Sequence, residues 1–289
     1  MNFSSARQYF DQEIQQPDER IDLAKAALYI AQEEYPNIDP EEYLNAFDTM
    51  ALELQERLPS QRYPLRVIQS INQYLYDDLG YAGNVEDYYD PRNSYLNDVI
   101  ERRLGIPITL ALVYLELARR IDFPMVGVGM PGHFLIRPDI ADTEIFIDTF
   151  NGGEIMFPQD CQERLTQFYQ QPVQLQPEFL ATVSKRQILA RMLANLKYIY
   201  LNQQELEKAL AAVERILLLF PGASLELRDR GLLCYELGLS DQAANDLEAY
   251  LAKAPHAEDA AAIRQILTLL GEDKLKKNTE SRTQNSECT

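Results

Sequence analysis

Toward its C-terminal end the chain repeats itself every 34 residues, and that period limits the possible fold more than any other feature. Ala209 recurs as Ala243, Val213 as Leu247, Leu217 as Leu251 and Pro221 as Pro255. Small and large apolar residues at helical spacing within each copy require a pair of helices per unit. A single hairpin cannot bury its apolar face alone, so successive hairpins have to stack on one another.

Two helices in 34 residues is the tetratricopeptide pattern. Leu193, Leu196 and Tyr200 occupy the large positions of the first helix of unit one. Gly231 takes the small position in unit two, where helices pack closely. Cys234 falls at the place of Tyr200, which makes it core filler. Ser184 and Gln187 form a capping box that opens the region. With a last helix over about residues 258–270, two units make a minimal capped stack spanning 184–271. His256, between the repeat and that helix, reads as a surface or capping residue. The polar tail, 274–289, is too poor in apolar residues to fold and is expected to be disordered.

The part before the repeats is long enough for a second core, and its pattern is mixed. Residues 23–34 carry an apolar face at helical spacing. Asp39, Pro40 and Glu42 mark a helix start that runs to about residue 58. A further helix is expected over 64–79, ending at Gly80, and another over 94–103. Pro107 then opens a helix over 108–121 that is apolar on almost every side until Glu116, Arg119 and Arg120. Such a helix belongs in the centre of a core. After it come three short runs bounded by Gly, Pro and Asp: MVGVG (125–129), HFLIR (133–137) and EIFID (144–148). These read as strands, and residues 158–169 as one more helix. The fold class is therefore α+β followed by an all-α region.

The strands carry the candidate chemistry. If Arg137 pairs with Glu144 around the loop PDIADT, His133 falls directly opposite Asp148, on the same face and about 5 Å away. An imidazole beside a carboxylate is the base-and-orienter half of a nucleophilic triad; the plainer reading is a structural histidine bonded to a neighbour. A nucleophile would best stand at the N-terminus of the central helix, where the helix dipole stabilises a thiolate. That segment holds Gly105, Ile106, Pro107, Ile108 and Thr109, with no cysteine or serine. Thr109 has a hydroxyl, but helical threonine usually bonds its own turn. Cys161 follows both His133 and Asp148 and sits in an amphipathic helix, which suits packing.

Composition narrows the partners. A net charge of −18 repels phosphate backbones and anionic lipid, so neither nucleic acid nor a membrane is expected as partner. The N-terminus has no secretory pattern, and no window approaches the roughly 20 apolar residues of a membrane helix. Three scattered cysteines, Cys161, Cys234 and Cys288, fit neither a disulfide framework nor a zinc site and suit a reducing cytoplasm. No metal or other cofactor is implied.

The stretch NSYLNDVIERRLGIPITLALVYLELARR, with PGHFLIR and FIDTFNGG after it, resembles the transglutaminase-like core of the bacterial SirB family. That family joins such a core to C-terminal tetratricopeptide repeats, and the resemblance covers roughly residues 20–270. It implies a papain- or transglutaminase-like core with a small antiparallel sheet over 1–180, ahead of the repeats. The wider superfamily uses a Cys-His-Asp triad whose nucleophile segment runs Gly-x-Cys. Laid on this chain, Gly105 takes the glycine, Ala111 a small position, Arg119 the arginine of the helix end and Pro124 the proline after it. His133 and Asp148 then take the histidine and aspartate, and the cysteine position falls on Pro107, which has neither a side-chain nucleophile nor an N–H. The expected function is non-catalytic: a remnant groove for a peptide or protein, with the repeats as a second docking face. The rival is a hydrolase or acyl-transferase using His133 and Asp148 with water or Thr109. Asn97, Glu101, Arg102 and Arg103, on the helix before Pro107, could line the groove, or form an ordinary solvated face.

Overall fold

A computed structural model describes residues 5–140 and 143–272. The chain divides into two compact units between Asn195 and Leu196, inside a helix.

The first unit is α+β. Its helices are α1 (Ser5–Ile14), α2 (Leu23–Glu34), α3 (Pro40–Gln55), α4 (Pro64–Asn72), α5 (Leu96–Arg102), α6 (Pro107–Arg120), α7 (Pro158–Tyr169) and the start of α8 (Lys185–Asn202). The Asp39 side chain accepts the Glu41 N–H at 3.0 Å and Pro40 fills the first turn, so α3 starts where its capping signal stands. At α8 the Ser184–Gln187 box forms in both directions. A second cap, from far away in sequence, adds to it: the Asp18 carboxylate accepts the N–H groups of Lys185 and Arg186 at 2.8 and 3.0 Å. The segment after α4 departs from a plain helix. It widens into a π-helical turn over Gln73–Asp78 before Gly80 stops it at φ +74°. This turn buries Tyr74 and Leu75, and the Tyr76 hydroxyl donates to the Thr149 carbonyl at 3.0 Å.

Helix α6 is the centre of the core. Every residue from Pro107 to Tyr114 is buried, and so are Glu116, Leu117 and Ala118. The helix thus carries one charge inside. Glu116 is 3% exposed and is held by Arg119 at 2.8 Å and by Arg120. At the helix start Thr109 Oγ1 accepts the Ile106 N–H at 3.1 Å, which satisfies a donor that the helix itself leaves unpaired.

Two sheets flank this helix. The first is a two-residue parallel ladder, β1 (Ala82–Gly83) with β2 (Leu104–Gly105), which ties the loop after Gly80 to the entry of α6. The second is antiparallel with order β3-β4-β5-β6: Met125–Val128, Leu135–Pro138, Phe146–Asp148 and Glu154–Met156. The fourth strand goes beyond the three expected; Gly152 and Gly153, both at positive φ, turn the chain into it. The hairpin register differs from the expected one. Ile136 faces Ile147, so the pairing of Arg137 with Glu144 is two residues out. The observed register sets two fully buried isoleucines against each other. A slip of two keeps every side chain on its face, so His133 and Asp148 remain on the same side, as diagonal rather than direct neighbours.

The second unit is helical: the end of α8, then α9 (Leu206–Leu219), α10 (Ser224–Glu236), α11 (Ser240–Lys253) and helical residues 260–272. Ala209 and Ala243 are fully buried, as the 34-residue period requires. A Cβ on Gly231 would stand 2.7 Å from the Leu247 side chain, so the small position marks a close approach of α10 and α11. Cys234 is buried in the same core. The tail expected over 274–289, and Cys288 with it, lies outside the described residues.

Candidate functional site

The site is built where β4 begins and β5 ends. Gly132 turns the chain at φ +72°, and a Cβ there would run into the Phe168 ring, so glycine answers both the backbone and the close approach. The next residue, His133, sets Nε2 2.8 Å from Asp148 Oδ2. The ring N–H is not aimed along that line, so the two groups touch without forming a well-angled hydrogen bond. The imidazole is 12% exposed and the carboxylate not at all.

Asp148 is the hub. Oδ1 accepts the N–H groups of Phe150 and Asn151 at 3.1 and 3.3 Å. Oδ2 takes the Asn151 amide at 2.7 Å and the Arg164 guanidinium at 3.1 Å. Burial pushes this carboxyl up, but His133, Asn151 and Arg164 together outweigh it and hold it below its ordinary range. Neither Asn151 nor Arg164 stands out in the sequence. The turn residues after FID hint at Asn151; Arg164 carries no signal, since nothing in α7 says what its arginine reaches.

Pro107 stands in the first turn of α6 and is tied to the residue after Asp148. The Thr149 hydroxyl donates to the Pro107 carbonyl at 3.1 Å. Thr109 is engaged elsewhere. Its hydroxyl is fully buried and donates to the Asn93 carbonyl at 2.7 Å, so its only proton is committed to structure. Cys161 is buried in α7, and burial pushes its thiol up to about 11.

Three of the four residues considered on the α5 segment have structural partners. Glu101 accepts the Tyr43 hydroxyl. Arg102 reaches Asp90 at 3.3 Å and Asn93 at 3.4 Å. Arg103 ends α5 in the left-handed conformation and donates to the Leu79 carbonyl at 2.6 Å. Asn97 is 4% exposed, and its Oδ1 finds no donor. The pocket at His133 measures about 270 Å³ and is formed by Pro131, Gly132, His133, Arg164, Gln167 and Phe168, with none of these four. A larger cavity of about 670 Å³, between Ile21, Leu115, Met125 and Ile188, has Glu116 and Arg119 in its wall and no histidine. Among the described residues no group of His, Cys, Asp or Glu is arranged to hold a metal ion, and no helix is long and apolar enough to cross a membrane.

Comparison with known proteins agrees with this architecture. Residues 41–194 match the transglutaminase-like superfamily, and residues 196–268 match the tetratricopeptide repeat. A UPF0162 protein of Xylella fastidiosa is 39% identical over 267 residues, covering 90% of this chain and 93% of the relative. A UPF0162 protein of Pseudomonas aeruginosa is 31% identical over 229 residues, 79% of this chain and 83% of its own. Human F-box only protein 21 is 34% identical over 140 residues, which are 45% of this chain but 21% of that protein. No solved structure matches the chain.

Proposed function

Since the chain belongs to the transglutaminase-like superfamily, alongside the UPF0162 proteins of bacteria, we propose that it is a non-catalytic binding module. Its groove at His133 takes a peptide or protein segment, and its tetratricopeptide helices offer a second docking face. One observation carries the reading: a proline opens α6, bonded through its carbonyl to the residue after Asp148, while imidazole and carboxylate remain in contact. Thiol catalysis needs a thiolate next to the imidazole, and Pro107 supplies neither the sulfur nor an N–H for an oxyanion. The order of core then repeats supports placing the chain with the SirB family. Residues 1–180 would serve as the groove-bearing part and 184–271 as the docking part. Two buried free thiols, Cys161 and Cys234, suit a cytoplasmic setting.

The test is selection of displayed random peptides on the full chain. Enrichment of related sequences on the wild type, lost on a folded His133→Ala variant, is the expected result. No enrichment, or enrichment indifferent to His133, would remove the groove from the reading. A second reading, water-based hydrolysis with His133 as base, is favoured by the Asp148 contact that orients the ring. Cleavage of the selected peptides by wild type but not by His133→Ala would establish it instead.

A further inference from the structure

Arg191, on α8, stands against the His133 hairpin, and no carboxylate among the described residues pairs with it. Its Nη2 donates to the His133 carbonyl at 2.7 Å; its other contacts are the Met130 carbonyl at 3.4 and 3.5 Å and the Phe134 ring at 5.5 Å. A guanidinium has five N–H donors, and two of the three bonds Arg191 makes are 3.4 Å or longer, so it can still serve a ligand. Arg164, Arg120, Arg102 and Arg230, by contrast, each have an acidic partner. Burial pushes the Arg191 pKa down. A desolvated cation without a counter-charge is costly unless something supplies one.

The surroundings close a ring. Arg191 holds the His133 backbone; His133 meets Asp148; Asp148 accepts the Phe150 N–H; the Phe150 ring stands 5.8 Å from the Tyr88 ring, edge to face; and Tyr88 interacts electrostatically with Arg191. Tyr88 is 38% exposed, so this wall is open to solvent. A cation and two aromatic rings, one of them exposed, form a polar point with an apolar flank. That combination fixes the orientation of a small anionic group and gives its hydrocarbon part a surface to lie on.

We propose that the wall of Arg191, Tyr88 and Phe150 beside His133 takes a single carboxylate, borne by the C-terminus or an acidic side chain of a peptide. Arg191 is its cation and the two rings its flank. The inference rests on the binding-module reading and names its ligand chemistry. Arginine's planar fork matches a carboxylate in two parallel hydrogen bonds. A doubly charged phosphate is disfavoured by a chain of net charge −18.

The experiment is an NMR titration of the full chain, following the arginine Nε–H and histidine ring signals. The probes are N-acetylglutamate α-amide, which carries one carboxylate, its neutral analogue N-acetylglutamine α-amide, and inorganic phosphate. N-acetylglutamate α-amide is expected to shift the Arg191 and His133 signals saturably, about tenfold more tightly than N-acetylglutamine α-amide, since a hydrogen-bonded charge is worth about that factor. Arg191→Gln should abolish the difference; Tyr88→Leu, at an exposed edge, should weaken binding without changing the melt. Equal response to both amino acids, a response surviving Arg191→Gln, or tighter binding of phosphate would overturn the proposal. Selected peptides that need His133 but are neutral and indifferent to Arg191 would sink the carboxylate and leave the module. Binding of N-acetylglutamate α-amide through Arg191, with no peptide selected, would do the reverse.

Discussion

Each unit buries an aspartate, and the two are treated differently. Asp246, in the repeat unit, is closed: Arg230 meets both its oxygens at 2.7 Å and Gln242 adds a bond at 2.9 Å. Asp148, in the core unit, is distributed over two backbone N–H groups, an amide, a guanidinium and an imidazole that is itself part of a pocket wall. The first arrangement fixes two helices against each other. The second organises a loop, a strand end and a groove at once. Burial of a carboxylate therefore marks a site only when its partners face outward to something else.

The sharpest way to break this comparison is to remove each carboxylate. Asp148→Ala strands several donors around a fully buried position and should cost about 3–4 kcal/mol in denaturant melts of the core transition. A loss under about 1 kcal/mol, the worth of one ordinary hydrogen bond, would mean the hub is not one. Ala243→Leu overpacks the hairpin interior of the repeat unit and should cost about 2–3 kcal/mol; an unchanged midpoint would mean the 34-residue register is wrong. Asp246→Ala should cost about 2 kcal/mol, because the Arg230 side chain is 20% exposed and can regain water. If the two aspartate variants cost the same, the contrast between hub and closed pair fails.

Acid offers a gentler probe. The folded Asp148 carboxyl lies below its unfolded value of about 3.9, so the unfolded chain binds the proton more readily. The stability it supplies is complete above that value and is lost as pH falls through the folded one. The gap between melts of wild type and Asp148→Asn should therefore close as the pH is lowered from about 5 to about 2; a constant gap would place the effect elsewhere. The smallest effect concerns thiols. Burial pushes Cys161 and Cys234 each up to about 11, so a folded Cys288→Ser chain should react with a thiol reagent far more slowly than the unfolded chain. Adding Pro107→Cys should add thiolate absorbance at neutral pH, a readout that burial of position 107 does not block; no added absorbance would mean that the first turn of α6 does not activate sulfur.

Much of the fold is legible in the sequence because its signals are local. Asp39 with Pro40, the Ser184–Gln187 box and the Ala209–Ala243 period each declare themselves within a few residues or one repeat. The hairpin register is not legible, because a slip of two leaves the alternation of apolar and polar residues unchanged. The shared face of His133 and Asp148 survives that slip. The rest of the site is out of reach for a different reason: Tyr88, Phe150, Arg164 and Arg191 come from separate elements, and no spacing links them. Conversely, Arg102 and Arg103 look available at the end of α5, yet one is held by Asp90 and the other by a backbone carbonyl.

The cap that Asp18 places on α8 has a consequence in time. Its two hydrogen bonds join residues 167 and 168 positions apart. The same two cap residues bind the turn in return: Lys185 donates to the Glu19 and Ile21 carbonyls, and Arg186 to those of Ile14 and Gln16. During synthesis at about 5–20 residues per second, that turn must wait roughly 10–30 s before its partner exists. Helix α1 can meet α2 early, but the bend between them is left without its native clasp through the whole interval. Protease cleavage of stalled nascent chains should therefore fall within residues 15–22 when the ribosome stops before codon 185, and should fade once α8 has emerged.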